Sequence, residues 1–303
     1  MKEKLAPLWV LLAGVLWGTT GTAQTYAPDA AHPIAVGAAR LAVGGLSLLL
    51  VAILFGQLNL RSWPIKVTVA AALCMAAYQP LFFTAVQQTG VAVGTVIAIG
   101  SAPLLSGALE WLLLRKTPSK GWWISTLLSI IGCILLFFNK GAANADPSGI
   151  FMALGAGLSF AVYTIVSKGL VHTASSLSVV AVVFTLSAVF LSPVLFFYDM
   201  SWMAEPGGLA VSLHLGLLVT GAAYLLFAKA LVHVPSSTAV TLALAEPLTA
   251  AMLGVVLVRE QLDLLSWAGV SCLILGIGFL AVFSRMDRAE KVVKQSAGFK
   301  KTL

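Results

Sequence analysis

Charged side chains are scarce in this sequence. Asp, Glu, Lys and Arg make up 10% of its 303 residues, whereas 59% of the residues are hydrophobic. A soluble domain of this length carries roughly 25% charged residues, so the chain has too little polar surface to face water. Long apolar stretches recur from one end to the other, which excludes a soluble domain with one membrane anchor. At ~20 apolar residues per transmembrane helix, the chain has room for about ten helices.

Other functional groups are also few, and their absence narrows the possible classes of protein. The three cysteines and four histidines are isolated, so we expect neither a disulfide framework nor a metal site. No Gly-x-x-x-x-Gly-Lys-Ser/Thr motif is present, which excludes an ATP-driven pump within this chain. We expect no bound cofactor. The net charge of +7 comes mostly from short loops and the C-terminal tail, so we expect no nucleic-acid partner.

Ten apolar runs, bounded by Pro, Gly and charged residues, predict ten transmembrane helices. A hydrocarbon core tolerates only helices or closed barrels, and these runs are too long and continuous for barrel strands. The sequence therefore predicts an all-α, polytopic membrane protein with short loops. The predicted spans are 5–25, 33–55, 64–86, 91–114, 121–138, 148–168, 175–197, 209–231, 236–258 and 266–284.

The positive charges predict how the chain crosses the membrane. With a cytoplasmic N-terminus, 15 of the 18 Lys and Arg lie on the cytoplasmic side, and only Lys140 and Arg259 lie outside. Positive residues favour the cytoplasmic side of membrane proteins. We therefore predict a multi-pass protein of the bacterial inner (plasma) membrane with both termini in the cytoplasm. The basic segment 285–303 is predicted to be a cytoplasmic tail, either lying on anionic lipid head groups or solvated and disordered.

The two halves of the sequence resemble each other at an offset of 144 residues. The matching pairs are Phe83 with Phe227, Pro103 with Pro247, Arg115 with Arg259, Trp123 with Trp267 and Gly132 with Gly276. Near the start, Gly14 matches Gly157 at an offset of 143. We predict two five-helix repeats, over 5–138 and 148–284, with chance similarity between apolar helices as the alternative. Because five is odd, the second repeat is inverted, a recurring design of secondary transporters.

Two stretches of the sequence match a known family pattern. The first span reads LLAGVLWGTTGT, and the ninth and tenth read TAVTLALAEPLTAAMLGVVLVREQLDLLSWAGVSCLILGIGF. The matching positions in the second stretch are Pro247, Gly254, Glu260, Gly269 and Gly276. The sequence resembles the EamA family of the drug/metabolite transporter superfamily, although Lys116 stands where the first half of the family usually has a glutamate. The resemblance implies ten helices around a central cavity and export of amino acids or other small metabolites.

Two charged residues lie deep inside predicted spans. A charge at the bilayer centre costs ~2.5–3.5 kcal/mol on insertion scales, so each needs a reason. Glu246, directly before Pro247, is predicted to bind a cation or amine or to exchange a proton; a structural hydrogen bond is the alternative. Arg40, ~10 Å below the outer end of its helix, is predicted to bind a substrate carboxylate; the alternatives are an ion pair with Glu246 or snorkelling. Glu110 is predicted to pair with Arg115 at the membrane interface, with a proton site as the alternative.

Aromatic and amide side chains in other spans are candidates for the wall of a substrate site. Small-molecule sites are mostly apolar and contain a few polar groups. The candidates are Tyr78, Gln79, Tyr224, Trp17, Gln24 and Tyr163. Each has an alternative interpretation as a packing or interfacial residue. Prolines inside spans are predicted hinges because proline removes a backbone donor and kinks a helix. These prolines are Pro80, Pro103 and Pro247.

Three functions are compatible with this pattern. We favour a secondary transporter for small metabolites, acting as a monomer or homodimer by alternating access around a midplane cavity, with a proton as a candidate coupling ion. An integral membrane enzyme acting on a lipid or isoprenoid is the alternative, although the interfacial loops lack clusters of His, Asp or Glu. A channel would need rings of like polar residues, usually from several subunits. We therefore expect a small-molecule substrate, a lipid bilayer around the chain and no enzymatic activity.

Overall fold

The computed structural model describes residues 2–58, 63–138, 146–259 and 261–299, and these residues contain no strand. Among them, ten helices are long and apolar enough to cross a membrane. They are α1 (Leu5–Gln24), α2 (Pro33–Leu54), α3 (Ile65–Thr89), α4 (Val91–Leu114), α5 (Lys120–Phe137), α6 (Pro147–Leu170), α7 (Ser176–Phe196), α8 (Pro206–Leu231), α9 (Ser236–Leu257) and α10 (Leu264–Phe283). Their number and positions confirm the predicted all-α membrane fold.

Two helices differ from the predicted spans by three residues at one end, each for a local reason. Helix α3 continues to Thr89 and ends at Gly90, whose φ of 81° favours glycine. The apolar pattern predicts an end at residue 86, three residues before the observed end. Helix α8 begins at Pro206, since proline has no N–H to leave unpaired in a first turn. Its central segment, His214–Ala222, is a π-helix that the apolar pattern does not reveal.

The C-terminal part of the chain extends the last transmembrane helix. The helical backbone of α10 continues to Phe299, so most of the predicted tail is helical. Residues 300–303 lie outside the described residues. Glu260, which carries part of the resemblance to the EamA family, lies outside them as well. What the sequence predicts for residues 300–303 and for Glu260 therefore stays a prediction.

The two repeats make equivalent contacts. A Cβ on Gly14 of α1 would lie 2.9 Å from the Cβ of Ala245 on α9. At the equivalent place, a Cβ on Gly157 of α6 would lie 2.4 Å from the Oγ of Ser101 on α4. The two contacts correspond to each other, because Gly14 and Gly157 are 143 residues apart and Ser101 and Ala245 are 144 residues apart. They show that α1 packs on α9 as α6 packs on α4, which is the arrangement expected of inverted repeats.

Helices α5 and α10 form a second interface with the same symmetry. A Cβ on Gly132 would lie 2.8 Å from the carbonyl oxygen of Gly269, and a Cβ on Gly276 would lie 2.9 Å from that of Ser125. Small residues therefore allow the two backbones to approach closely, as is common between transmembrane helices. Helices α2 and α7 pair in a similar way, and α3 packs along α6. A central space remains, and residues of α1–α6, α8 and α9 line it.

We name the two ends of the helix bundle by the predicted topology. The inner end is the end at which α1 begins, and it is predicted to be cytoplasmic. Successive helices cross in alternating directions, so the connections between α4 and α5, α6 and α7, and α8 and α9 lie at the inner end. The connections between α1 and α2 and between α3 and α4 lie at the outer end.

Candidate substrate-binding cavity

Helix α9 is interrupted near its middle. Its first segment, Ser236–Leu242, and its second, Ala245–Leu253, are separated by a turn that begins at Ala243. Pro247 has no N–H to donate to the carbonyl group four residues earlier. The Ala243 carbonyl instead accepts a hydrogen bond from the backbone N–H of Glu246 at 2.9 Å. The break thus lies where the sequence predicts a hinge. Glu246 is the second residue of the helical segment that follows the break.

Two glycines of α1 pack against this break. A Cβ on Gly14 would lie 3.3 Å from the backbone nitrogen of Glu246. A Cβ on Gly18 would lie 2.5 Å from the Cβ of Thr249 and 2.7 Å from the Glu246 carbonyl oxygen. Separations under 3.0 Å are too short for a real Cβ, so α1 reaches α9 here because these positions lack side chains. This contact agrees with the close approach that Gly-x-x-x-Gly spacing permits.

A cavity of about 390 Å³ lies beside the broken helix and is lined by residues of both repeats. Four of the predicted polar residues line it, namely Gln24, Arg40, Gln79 and Glu246. Three predicted aromatic residues and one predicted hinge also line it, namely Trp17, Tyr78, Tyr224 and Pro247. The fold therefore gathers eight of the predicted residues, from five different helices, around one space.

Three other predicted residues do not line this cavity. Tyr163 is 1% exposed, and its ring lies 5.9 Å from that of Tyr224, so it supports the wall from behind. Pro80 lies inside α3 and Pro103 lies inside α4, and neither proline interrupts its helix. Of the three predicted hinges, only Pro247 coincides with a break in a helix.

Arg40 is held by a neighbour from the other repeat. Its Nε donates a hydrogen bond to the Oγ1 of Thr220 at 3.2 Å, and its side chain is 9% exposed. Thr220 is fully buried in the π-helical segment of α8. Among the described residues, no ion pair within 4.0 Å joins Arg40 and Glu246. Both charged groups therefore face the cavity without a direct contact between them.

Aromatic rings form much of the cavity wall. The Trp17 ring lies 4.9 Å from that of Tyr224 and 5.9 Å from that of Phe160. Tyr78 stacks on Phe82 with ring centroids 5.6 Å apart. The sequence-based prediction missed Phe82 and Phe160, because phenylalanine in an apolar helix looks the same whether it faces lipid, core or cavity. The available signal was spacing, since Phe82 follows Tyr78 by one helical turn.

The predicted ion pair between Glu110 and Arg115 is wrong. The Glu110 carboxylate is buried and accepts hydrogen bonds from Ser236 and Ser237 at the start of α9. Arg115 is exposed at the end of α4. The prediction considered only neighbours along one helix, whereas the fold brings the connection before α9 onto the end of α4. Within the described part of the chain, no group of three or more His, Cys, Asp or Glu is placed to hold a metal ion.

Comparison with known proteins agrees with this architecture. The EamA-like transporter family matches residues 4–138 and again residues 147–282. The chain is 50% identical over 294 residues to the "Uncharacterized transporter YwfM" of Bacillus subtilis (strain 168), covering 97% of this chain and 98% of that protein. It is 23% identical over 290 residues to the "Uncharacterized inner membrane transporter YicL" of Salmonella typhimurium, covering 91% and 95%.

The fold itself also has a counterpart among solved structures. A crystal structure that is 20% identical in sequence superposes with a TM-score of 0.81, covering 93% of this chain and 98% of that one. At this level of identity the likeness concerns the fold alone. The two family matches span both five-helix repeats and together cover most of the sequence. The chain therefore belongs to the EamA-like transporter family.

Proposed function

We propose that this membrane transporter is a secondary transporter that exports small metabolites, in particular amino acids or related amines, by alternating access around the cavity. The observation that carries the proposal is that Arg40, from the first repeat, and Glu246, from the second, line one cavity without an ion pair. A guanidinium group binds a carboxylate, and a carboxylate binds an ammonium group, through charge-assisted hydrogen bonds. A zwitterionic amino acid offers both groups, whereas an amine offers the second.

The size and lining of the cavity support a small organic substrate. Its volume of about 390 Å³ is near the lower end of the ~300–1,000 Å³ that ligand pockets occupy. Trp17, Tyr78 and Phe160 supply aromatic surface against which the apolar part of a substrate can pack. Aromatic faces also attract an ammonium group within ~6 Å of the ring centre. We therefore favour metabolites of amino-acid size over larger, drug-sized compounds.

Glu246 is also our candidate for the group that couples transport to protons. A carboxyl group in a cavity can hold a proton in one conformation and an ammonium group in the other, so binding of one releases the other. Intramembrane carboxyl groups commonly serve in such proton relays. The distribution of Lys and Arg supports both termini in the cytoplasm of the inner membrane, and proton entry would then drive export. One copy of the chain contributes both halves of the cavity, and we propose that the transporter acts as a monomer or a homodimer.

Thermal unfolding of the purified full-length protein with a matched ligand set tests the binding site. The set contains an amino acid, its amide, its decarboxylated amine and its deaminated acid. A bound ligand stabilises the fold by RT ln(1 + [L]/Kd), so the melting temperature rises with ligand concentration. We expect the amino acid or the amine to raise the melting temperature and Glu246→Gln to abolish that rise. A full rise in Glu246→Gln would remove Glu246 from the site.

Reconstituted vesicles test transport of the compound found in this way. We expect the labelled compound to cross the membrane faster when a proton gradient is imposed, and a protonophore to remove the gain. The variant Ala102→Ser is the matched control, because Ala102 also lines the cavity and precedes a proline in α4. Chemical conversion of the compound without its movement would contradict the proposal and favour a membrane enzyme.

A further inference from the structure

Glu110 lies near the inner end of α4 and contacts the start of α9 in the other repeat. Its side chain is 3% exposed. One carboxylate oxygen accepts a hydrogen bond from the backbone N–H of Ser236 at 3.3 Å. The other accepts from the N–H of Ser237 at 3.1 Å and from the Ser237 hydroxyl at 2.6 Å. Three donors therefore satisfy a carboxylate that is buried away from water, which is the condition under which such a group is tolerated.

Lys168 holds the other side of the same connection. Its Nζ donates hydrogen bonds to the carbonyl oxygens of Leu231, at the end of α8, and Val234, just before α9. A cation near the last carbonyls of a helix and an anion near its first N–H groups both suit the helix dipole. The segment between α8 and α9 is thus held by α6 through a lysine and by α4 through a glutamate.

These contacts lie between the cavity and the inner end. On α9 the cavity lining begins at Val240, one turn beyond Ser237. In the opposite direction the lining reaches the outer ends of four helices, at Gln24, Pro33, Gln87 and Val91. The cavity therefore extends to the outer end, while the bonded connection between α8 and α9 lies on its inner side.

The outer end has no equivalent set of contacts at the positions that the repeat predicts. At the offset of 144, Glu110 corresponds to Gly254, and Ser236 and Ser237 correspond to Ala92 and Val93. None of these side chains can accept or donate a hydrogen bond. At the offset of 143, Lys168 corresponds to Thr25, whose hydroxyl donates to Thr22 of the same helix end. The positions at the outer end that are equivalent to Glu110, Ser236, Ser237 and Lys168 therefore do not join two helices by hydrogen bonds of this kind.

We propose that Glu110, Ser237 and Lys168 form an inner latch that closes the cavity toward the cytoplasm and favours the outward-facing state of the empty transporter. Inward opening separates α4 from the start of α9, so the three hydrogen bonds of Glu110 break and water replaces them. Outward opening breaks no equivalent set of bonds, because Gly254, Ala92 and Val93 have no side chain that can make them. The inference rests on the proposed alternating access, which requires an inward-facing state, and it assigns the residues that control how often that state forms.

Cysteine labelling of the full-length protein in membranes tests the latch without any substrate. Native Cys74, Cys133 and Cys272 are replaced by alanine, and one reporter cysteine is added. Ala239→Cys, fully buried between the latch and the cavity, reports inward opening to a membrane-impermeant maleimide applied from the cytoplasmic side. Thr95→Cys, in the cavity lining, reports outward opening to the same reagent applied from outside.

We expect Glu110→Ala to raise labelling of Ala239→Cys about tenfold and to lower labelling of Thr95→Cys, because the population shifts toward the inward-facing state. Ser237→Ala removes one of the three bonds, so we expect a smaller rise of about threefold. Ser106→Ala is the matched control, since this buried α4 hydroxyl has no hydrogen-bond partner among the described residues. It should leave both labelling rates unchanged.

The two reporters separate the latch from a general loss of structure. An unfolded variant would raise labelling at both positions, whereas release of the latch raises one and lowers the other. If Glu110→Ala prevents folding, Ser237→Ala decides the question with the same pair of reporters. Unchanged labelling of Ala239→Cys in a folded Glu110→Ala or Ser237→Ala variant would overturn the proposal. Because no substrate is used, that result would leave the proposed transport activity unaffected, and failure to find a substrate would leave this test intact.

Discussion

Helices α4 and α9 occupy equivalent places in the two repeats, yet only α9 is broken. Both contain a proline at the equivalent position, Pro103 in α4 and Pro247 in α9. Helix α4 runs continuously from Val91 to Leu114, whereas α9 is interrupted just before its proline. Proline therefore does not dictate the break by itself, and the reason lies in the surroundings of each helix.

The two helices differ in charge and in one glycine neighbour: α9 packs against Gly18 as well as Gly14, whereas the residue of α6 equivalent to Gly18 is Ala161. The residue before the proline is Ala102 in α4 and Glu246 in α9. The backbone of the broken helix rests against Gly14 and Gly18 of α1, so its exposed polar groups lie close to another backbone. Helices α4 and α9 thus occupy similar places beside the cavity, but only α9 contributes a charged side chain to its lining.

Removing the charge from α9 should give the largest effect. Glu246→Gln keeps the volume of the side chain but loses a charge-assisted hydrogen bond worth ~1.5–3 kcal/mol, so ligand affinity should fall about 10- to 150-fold. Ala102→Ser, at the equivalent place in α4, should change affinity less than about twofold, since it adds no charge. Binding titration of both variants measures the contrast, and equal losses would show that the two helices do not differ in this way.

Filling the contact between α1 and α9 should destabilise the fold. A methyl group at position 18 meets a backbone carbonyl oxygen at 2.7 Å, and overpacking of this kind costs ~1–3 kcal/mol. Gly18→Ala should therefore lower the melting temperature in detergent. Gly21→Ala is the control, because a Cβ there meets nothing within 4 Å. Equal melting temperatures for the two variants would contradict the close contact.

A glycine-to-alanine substitution in the other repeat, at Gly157, the position equivalent to Gly14, extends the comparison. A Cβ on Gly157 would lie 2.7 Å from the carbonyl oxygen of Ala98 in α4. Gly157→Ala should therefore lower the melting temperature by a similar amount, since both repeats use the same packing. Gly100→Ala is its control, because nothing lies within 4 Å of a Cβ at that position. Destabilisation in one repeat alone would indicate that the interfaces are not equivalent.

Replacing the proline of α9 with alanine should lower ligand affinity more than the same replacement in α4. Pro247→Ala restores a backbone N–H, which can pair with the Ala243 carbonyl, straighten the helix and move Glu246. We expect ligand affinity to fall about tenfold, which corresponds to ~1.4 kcal/mol. Pro103→Ala lies in a helix that is already continuous, so its effect should stay below about threefold. A larger effect for Pro103→Ala would reverse our assignment of the hinge.

Removing the hydroxyl that holds Arg40 should have the smallest effect. Thr220→Val deletes the acceptor at 3.2 Å from Nε and should weaken binding of ligands that carry a carboxylate. A loss of about threefold corresponds to ~0.6 kcal/mol, and Thr220→Ser should restore most of it. The decarboxylated amine serves as the control ligand because it does not need the guanidinium group. Equal losses for the amine would show that Thr220 acts on the fold rather than through Arg40.

Much of the fold follows from the sequence because a bilayer leaves few alternatives. A run of apolar residues in a membrane must become a helix, so the sequence predicts the ten spans. The repeat in the sequence likewise predicts that Pro103 and Pro247 occupy equivalent positions. Glu246 and Arg40 stood out for the same reason, since a charge in an apolar run is costly. These signals are local and need no knowledge of which helices are neighbours.

The remaining features depend on contacts between distant parts of the chain. The partners of Glu110 lie 126 and 127 residues away, so reading along α4 suggested the wrong neighbour. The π-helix over His214–Ala222 has the same apolar pattern as an ordinary span. The role of Thr220 becomes visible only in the fold, where its hydroxyl accepts a hydrogen bond from Arg40. The sequence predicts Tyr163 in the cavity wall. In the structure Phe160, one helical turn earlier on α6, lines the cavity, and Tyr163 packs behind Tyr224.

Counterflow in reconstituted vesicles tests the central claim most directly. Vesicles are loaded with the unlabelled compound found by thermal unfolding and diluted into a trace of the labelled compound. If one cavity between the repeats opens alternately to each side, labelled compound accumulates transiently in wild-type vesicles and does not in Glu246→Gln vesicles. Downhill flux without transient accumulation in the wild type, or undiminished accumulation in Glu246→Gln, would contradict the account.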